Sequence, residues 1–304
     1  MSGVKLTVLT LCVLVAFAAN SVLGRIALKS SELQLIDPAT YSAIRIACGA
    51  LALTAIVFWR RQGRRRQAHV HSPEGIVAAT RTGRVSLTSA VALFLYAACF
   101  SFAYIQLNAA AGTLILFAAV QFTMLTGAAV QGHRFRTLEL LGSLVAFAGL
   151  VWLLSPSVSD ASLPLEALLM AISGIAWGIY SLIGKGSKDP ITDTAGNFVL
   201  ATPLALILCG FFSDGLQITK SGCALAATSG AVTSGLGYVL WYTVLPRLTS
   251  PQAAAVQLSV PVVAGLGGLL FAGDAITFRT IVAGGVILSG IAMTIKWRSA
   301  ASTE

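Results

Sequence analysis

The sequence predicts an all-α integral membrane protein of ten transmembrane helices arranged as two inverted five-helix repeats. Three observations carry that expectation: the composition, the lengths of the apolar stretches, and a one-sided distribution of basic residues. Of 304 residues, 56% are apolar and only 10% charged, and the mean hydropathy is +0.84. Soluble domains carry about 25% charged residues, so a water-soluble globular enzyme is excluded. Cutting the chain at charges, prolines and glycine clusters leaves spans at 4–27, 38–59, 87–106, 109–131, 137–154, 163–184, 194–213, 222–244, 251–273 and 278–296. Roughly 20 apolar residues at ~1.5 Å rise cross a hydrocarbon core of ~30 Å.

Taken in order, the first span begins after Lys5 and contains Ala16-Phe17-Ala18, a small-x-small pattern of the kind that ends a secretory signal. Its apolar character continues through Val22, Leu23 and Ile26, which favours an uncleaved helix. The second span runs into a long connector, 60–86, with Arg60, Arg61, Arg64, Arg65, Arg66, Arg81 and Arg84 alongside His69, His71 and Glu74. Alternating the ten spans places these arginines on one side with Lys5, Arg134, Arg136, Lys185, Lys188, Arg247, Lys296 and Arg298. The opposite side keeps only Arg25, Lys29, Lys220 and Arg279. Positive-inside bias therefore puts both termini in the cytoplasm of a multi-pass inner (plasma) membrane protein. The net charge of +9 is spent on orientation, and no nucleic-acid partner is implied; the basic connector acting on acidic lipid or nucleic acid is the alternative. Cys12, Cys48, Cys99, Cys209 and Cys223 lie in or beside apolar spans without a CxxC pair, so they read as packing residues.

Internal similarity relates the two halves, 1–155 and 156–304. Gly132-His133 and Gly149 recur as Gly273-Asp274 and Gly290, 141 positions later, and Phe135-Arg136-Thr137 returns as Phe278-Arg279-Thr280. Val22-Leu23-Gly24-Arg25 resembles Leu182-Ile183-Gly184-Lys185. With five spans per half, the second copy enters the membrane upside down, the arrangement that builds two alternative openings around one central site.

On these residues the chain resembles a known family. Leu107-Asn108-Ala109-Ala110-Ala111-Gly112-Thr113, leading to Gly142 and Gly149, and Thr249-Ser250-Pro251-Gln252-Ala253-Ala254-Ala255, leading through Pro261 to Asp274 and Gly290, are similar to the paired signatures of EamA-type drug/metabolite transporters. The resemblance covers essentially the whole chain. It implies a ten-helix transporter, often an exporter of amino acids or other small metabolites. The family pattern has a Pro in the middle of spans 4 and 9 and an acidic residue after the Gly at their ends; this chain keeps Pro261 and Asp274 but has Gln121 and His133 in its first half.

Polar and ionisable side chains in hydrocarbon are costly, so those present need a reason. Arg45 lies seven residues inside span 2, and Asn20 reaches a similar depth in span 1; together they suit a substrate carboxylate. The alternative pairs Arg45 with Glu32 or Asp37, or lets it snorkel outward. Gln121 and Pro261 fall at the middle of spans 4 and 9, with Gln257 one turn before the proline. They suit a polar cavity with Pro261 as a conformational hinge, or else a packing kink with an interhelical amide bond. Tyr96, Phe100, Trp177, Tyr180 and Tyr238 reach mid-depth as a candidate aromatic wall or as core, whereas Trp241 and Tyr242 read as anchors at the membrane interface.

No Asp or Glu falls mid-span, which disfavours a carboxylate-based proton antiporter. HExxH, GxSxG and phosphate-loop patterns are absent, so no enzyme activity, cofactor or metal is expected. The leading reading is a carrier of a small zwitterionic or weakly anionic metabolite, with the lipid bilayer as its other partner; a homodimer stays open. The competing reading is a flippase or assembly factor for a lipid-linked intermediate.

Overall fold

The computed structural model describes residues 3–29, 34–71, 85–132, 135, 137–154, 164–212, 216–257, 259–274 and 278–296. They are helical almost throughout: α1 (Gly3–Leu28), α2 (Pro38–His71), α3 (Leu87–Ala103), α4 (Ala109–Val130), α5 (Thr137–Leu154), α6 (Pro164–Lys185), α7 (Pro190–Phe211), α8 (Lys220–Arg247), α9 (Ser250–Gln257), α10 (Val260–Ala272) and α11 (Phe278–Lys296). Pairing between strands is limited, among the described residues, to one isolated antiparallel bridge, Ile36 with Ile218. Side chains close the helix ends that the sequence leaves open. Ser86 accepts from Ser89 N, Asn108 from Ala111 N, Asp189 from Thr192 N and Thr219 from Gly222 N, each satisfying an amide that has no partner inside its helix.

Six helices, α1, α2, α4, α6, α7 and α8, are long and apolar enough to cross a membrane; α3, α10 and the stretch Thr137–Gly149 are shorter apolar helices. Large apolar side chains point outward around the bundle, among them Leu51, Phe58, Val130, Leu206, Leu270 and Phe271. Polar side chains such as Asn20, Ser42, Arg45, Gln121, Ser229 and Gln257 are buried inside. That distribution fits a hydrocarbon solvent, which gives no gain for burying apolar groups but penalises every exposed polar one.

Several elements differ from the sequence expectation. The connector after span 2 is helical as far as His71, because its Arg, Gln and Ala residues are good helix formers and no proline intervenes. Span 7 starts at Pro190, four residues earlier than expected, since Asp189 caps it and Pro190 occupies the first turn, where a missing N–H costs nothing. Span 8 contains a π-helical stretch, Ser229–Leu236. In span 9 the described helices are α9, which ends at Gln257, and α10, which carries Pro261 in its first turn; residue 258 between them lies outside the described residues. Glu32, Glu74, Arg81, Arg84, His133, Arg134, Arg136 and Arg298 lie outside the described residues.

In the bundle α5 packs along α11, α2 along α7, and α6 along both α3 and α4. Helix α1 packs against α8 and α10, while α4 packs against both α9 and α10. Gly174 permits one of these crossings: a Cβ there would stand 2.2 Å from the Leu116 carbonyl oxygen of α4.

Candidate substrate-binding site

The most buried charged side chain near the centre is Arg45 of α2, 1% exposed. Its position is set by α8. A Cβ on Gly230 would come within 2.1 Å of the Arg45 carbonyl oxygen, so only glycine lets the two backbones touch there. The π-helical turn that begins at Ser229 rotates Ser229, Thr233 and Ser234 into the bundle, the kind of local widening often found at functional sites.

A chain of hydrogen bonds follows. Arg45 Nε donates to Ser234 Oγ at 3.1 Å and Nη2 donates to the Tyr96 hydroxyl at 2.9 Å. Asn20 Nδ2 donates to the same hydroxyl at 3.2 Å, and Asn20 Oδ1 accepts from Ser229 Oγ at 2.7 Å and from Thr233 Oγ1 at 3.1 Å. The guanidinium carbon lies 4.9 Å from the centroid of the Tyr96 ring and 4.7 Å from that of Phe100. Arg45 Nη1 is buried with no hydrogen-bond partner. Asp37 does not pair with it: its Oδ1 accepts from Thr40 N at 2.8 Å and caps α2. Among the described residues the guanidinium is held by hydroxyls and ring faces in place of Asp37, and Glu32 lies outside them.

Around this cluster the aromatic side chains form a continuous column. The Trp177 ring stands 5.1 Å from Tyr96, 4.6 Å from Tyr238 and 5.7 Å from Tyr180, and Tyr180 stands 6.0 Å from Tyr242. Trp241 is 0% and Tyr242 4% exposed, so both belong to this interior and not to a membrane-interface belt; helix packing buries a stretch whose distance from the end of the span suggested the surface. A small cavity of about 10 Å³, room for about one water, lies among Phe17, Ser21, Tyr96, Phe100, Phe117 and Trp177.

The two glutamines behave differently. Gln257 Oε1 accepts from Trp177 Nε1 at 2.8 Å, and its Nε2 donates to Ala253 O at 3.2 Å and to Met124 Sδ at 3.6 Å, so protein groups occupy it fully. Gln121 is 2% exposed, and neither its oxygen nor its nitrogen has a partner. Gln121 lies one turn beyond Phe117, a wall of the small cavity, on the buried face of α4. Sequence reasoning missed Ser229, Thr233 and Ser234, because an α-helical reading of span 8 gives no reason to aim all three inward.

The two ends of the bundle are unlike. At one end Arg25 Nε lies 3.6 Å from Asp274 Oδ1, Arg25 Nη1 donates to the carbonyls of Tyr104 and Ile105 at 3.3 Å each, and Asp274 Oδ2 accepts from Ala109 N at 3.0 Å. This ties together the ends of α1, α3 and α10 and the start of α4. At the end reached by α2 after Pro38, a cleft of about 390 Å³ is lined by Arg60, Lys188, Asp189, Val239, Tyr242 and Thr243. Arg60 Nη1 and Asp189 Oδ1 face each other across it at 3.9 Å.

Long apolar helices with a polar, partly unsatisfied interior between one tied end and one cleft define a multi-pass membrane transporter. The chain belongs to the EamA-like transporter family, which it matches over residues 5–155 and again over 164–296. An uncharacterized protein of Pseudomonas aeruginosa is 42% identical over 290 residues, 95% of this chain and 94% of that protein. The threonine/homoserine exporter RhtA of Escherichia coli is 27% identical over 192 residues, 60% of this chain and 63% of RhtA. In fold, a solved crystal structure superposes with a TM-score of 0.71 over 97% of this chain and 98% of its own, at 16% identity.

Proposed function

We propose that this protein is an inner-membrane carrier that exports a small carboxylate-bearing metabolite, an amino acid or a related zwitterion or weak anion, by alternating access. The observation that carries the reading is Arg45: a buried guanidinium with an unpartnered Nη1, framed by Asn20, Tyr96 and Ser234. A carboxylate is the ligand such a fork receives. Gln121, with both amide atoms unpartnered, offers an acceptor for a substrate amine or a donor for a second oxygen. Trp177, Tyr180 and Tyr238 supply the aromatic wall, and Gln257 holds the Trp177 indole in place. The amino-acid class is supported by the naming of RhtA as a threonine/homoserine exporter.

Alternating access rests on two inverted repeats, 1–155 and 156–304, with both termini cytoplasmic. In support, the family matches each half separately. The described glycines with positive φ are Gly132 (78°) and Gly273 (67°), the pair that the internal similarity relates. Gly149 packs against Val286 and Ile287 of α11, and its counterpart Gly290 packs against Gly142 and Ala146 of α5, a reciprocal contact of the kind a two-fold relation produces. In this orientation the cleft beside Arg60 opens to the cytoplasm and the Arg25–Asp274 latch closes the outer face.

Thermal unfolding of the purified protein with a panel of amino acids and their methyl esters tests the reading. A bound ligand at 100 times its Kd stabilises by about 2.7 kcal/mol. The free acid of at least one member should raise the unfolding temperature and its ester should not. Equal shifts by acid and ester, or no shift with any member, would overturn it.

A further inference from the structure

The cleft beside Arg60 is a second site, apart from Arg45 and its wall of rings. We propose that it binds the phosphate of an anionic phospholipid, a diester such as phosphatidylglycerol, with an acyl chain lying along the lipid-facing side of α8. The site depends neither on Arg45 as a substrate ligand nor on which leaflet the cleft faces.

The depth of the cleft is that of a headgroup. Arg60 lies 22 residues beyond Pro38 in α2, about 33 Å of helix, so a hydrocarbon core of ~30 Å that begins near Pro38 ends beside it. The other walls come from Lys188 and Asp189, just before α7, and from Val239 and Thr243 in the last turns of α8. Phe58 and Trp59, next to Arg60 in the chain, are exposed on α2. Large exposed rings at that depth mark the boundary between hydrocarbon and headgroups, where Trp is enriched.

The charge of the cleft favours a phosphodiester. Arg60 and Lys188 bring two cations against the one carboxylate of Asp189, and that carboxylate is already used as a cap: its Oδ1 accepts from Thr192 N at 3.4 Å and its Oδ2 from Thr192 Oγ1 at 2.8 Å. Asp189 approaches Arg60 Nη1 only to 3.9 Å, beyond hydrogen-bond reach. The ion pairs among the described residues are Arg25–Asp274 and Arg60–Asp189, so Lys188 stands in neither. Arg247, whose Nη1 donates to the Thr243 carbonyl, adds a further cation beside the cleft. The surface below the cleft selects a lipid over a free anion. Val232 and Leu236, four residues apart on α8, are exposed, and the next turns of that helix carry Val239 and Thr243 into the cleft wall. An acyl chain on this stripe brings its phosphate to Arg60 and Lys188, the arrangement by which basic pockets between membrane helices receive acidic headgroups.

The test follows thermal unfolding of the full chain in a nonionic detergent as one of three probes is added. They are dioctanoyl phosphatidylglycerol, dioctanoyl phosphatidylcholine, whose quaternary ammonium cancels the phosphate charge, and inorganic phosphate. Phosphatidylglycerol should raise the unfolding temperature saturably and the other two should not. Arg60→Gln combined with Lys188→Gln should raise its half-saturating concentration by at least about tenfold, ~1.4 kcal/mol for the lost charge-assisted contacts. Lys29→Gln combined with Lys220→Gln removes the same charge where α1 ends and α8 begins, at the other end of the bundle, and should leave that concentration unchanged. If the first double variant does not fold, Lys188→Gln alone decides, since that side chain is exposed, and it should weaken the response in the same direction. Equal shifts with phosphatidylcholine would reveal a general effect of acyl chains, and equal shifts with phosphate a site for free anions. Either result, or an undiminished response to phosphatidylglycerol in the cleft variants, overturns the proposal.

Discussion

The indole N–H of Trp177 donates to Gln257 Oε1 at 2.8 Å, across 80 residues of sequence, joining α6 to the last turn of α9. Both side chains are buried, so removing the acceptor leaves a donor with no water to turn to. Gln257→Ala should lower stability by about 1–3 kcal/mol, the cost of an unsatisfied buried polar group. The cost should shrink when Trp177→Phe is combined with it, because the orphaned donor is then gone. Thermal unfolding of the two single variants and the double variant measures the coupling; additive losses would show that the bond is energetically idle.

Gln121 presents the opposite case, a buried amide that the protein leaves unsatisfied. Gln121→Leu, of similar volume, should raise the stability of the unliganded protein by about 1 kcal/mol or more while weakening substrate binding. Unfolding temperature and transport measured on the same preparation check this. A variant that loses stability and keeps transport would assign Gln121 a packing role.

Close backbone approach gives a pair of contrasting substitutions. A Cβ at Gly174 would meet the Leu116 carbonyl oxygen at 2.2 Å, whereas at Gly63 nothing lies within 4 Å. Gly174→Ala should push α6 off α4 and cost about 1–3 kcal/mol, the usual range for overpacking. Gly63→Ala should be neutral or slightly stabilising, since alanine is the better helix former. Comparing expression and unfolding temperature of the two variants decides.

The Arg25–Asp274 pair ties helix ends together, and the acid also caps α4 through Ala109 N. Asp274→Ala should be the more damaging of two substitutions, because it leaves Arg25 without its charge partner and the α4 amide without an acceptor. Asp274→Asn should keep the cap and lose the charge. The order of unfolding temperatures, wild type above Asn above Ala, is the expected result, and coincidence of the Asn and Ala variants would remove the capping role.

Pro261 occupies the first turn of α10, after the break at Ser259. A proline there both fits the new helix and prevents α9 from running on into it. Pro261→Ala should let the two helices merge and stiffen, slowing turnover while substrate affinity stays within a few fold. Affinity and turnover of the purified variant give the answer; loss of binding with normal turnover of bound substrate would place Pro261 in the ligand site rather than at a hinge.

The sequence by itself determined the solvent of this protein and its family. Runs of apolar residues, with charges confined to their ends, have one physical outcome, because every polar group left in hydrocarbon carries a penalty that composition alone reveals. Arg45, Asn20 and Gln121 were legible for the same reason: each is a polar residue where the pattern calls for an apolar one.

Only the tertiary structure decided what these residues meet. Tyr96 receives both Asn20 and Arg45, and the π-helical turn supplies Ser229, Thr233 and Ser234 from more than 180 residues away. That turn depends on α8 lying against α2 at Gly230, a contact between distant segments that no local pattern encodes. Trp241 and Tyr242 show the same division. Their position near the end of a span suggested the membrane interface, but burial is decided by the neighbouring helices, and those helices cover them.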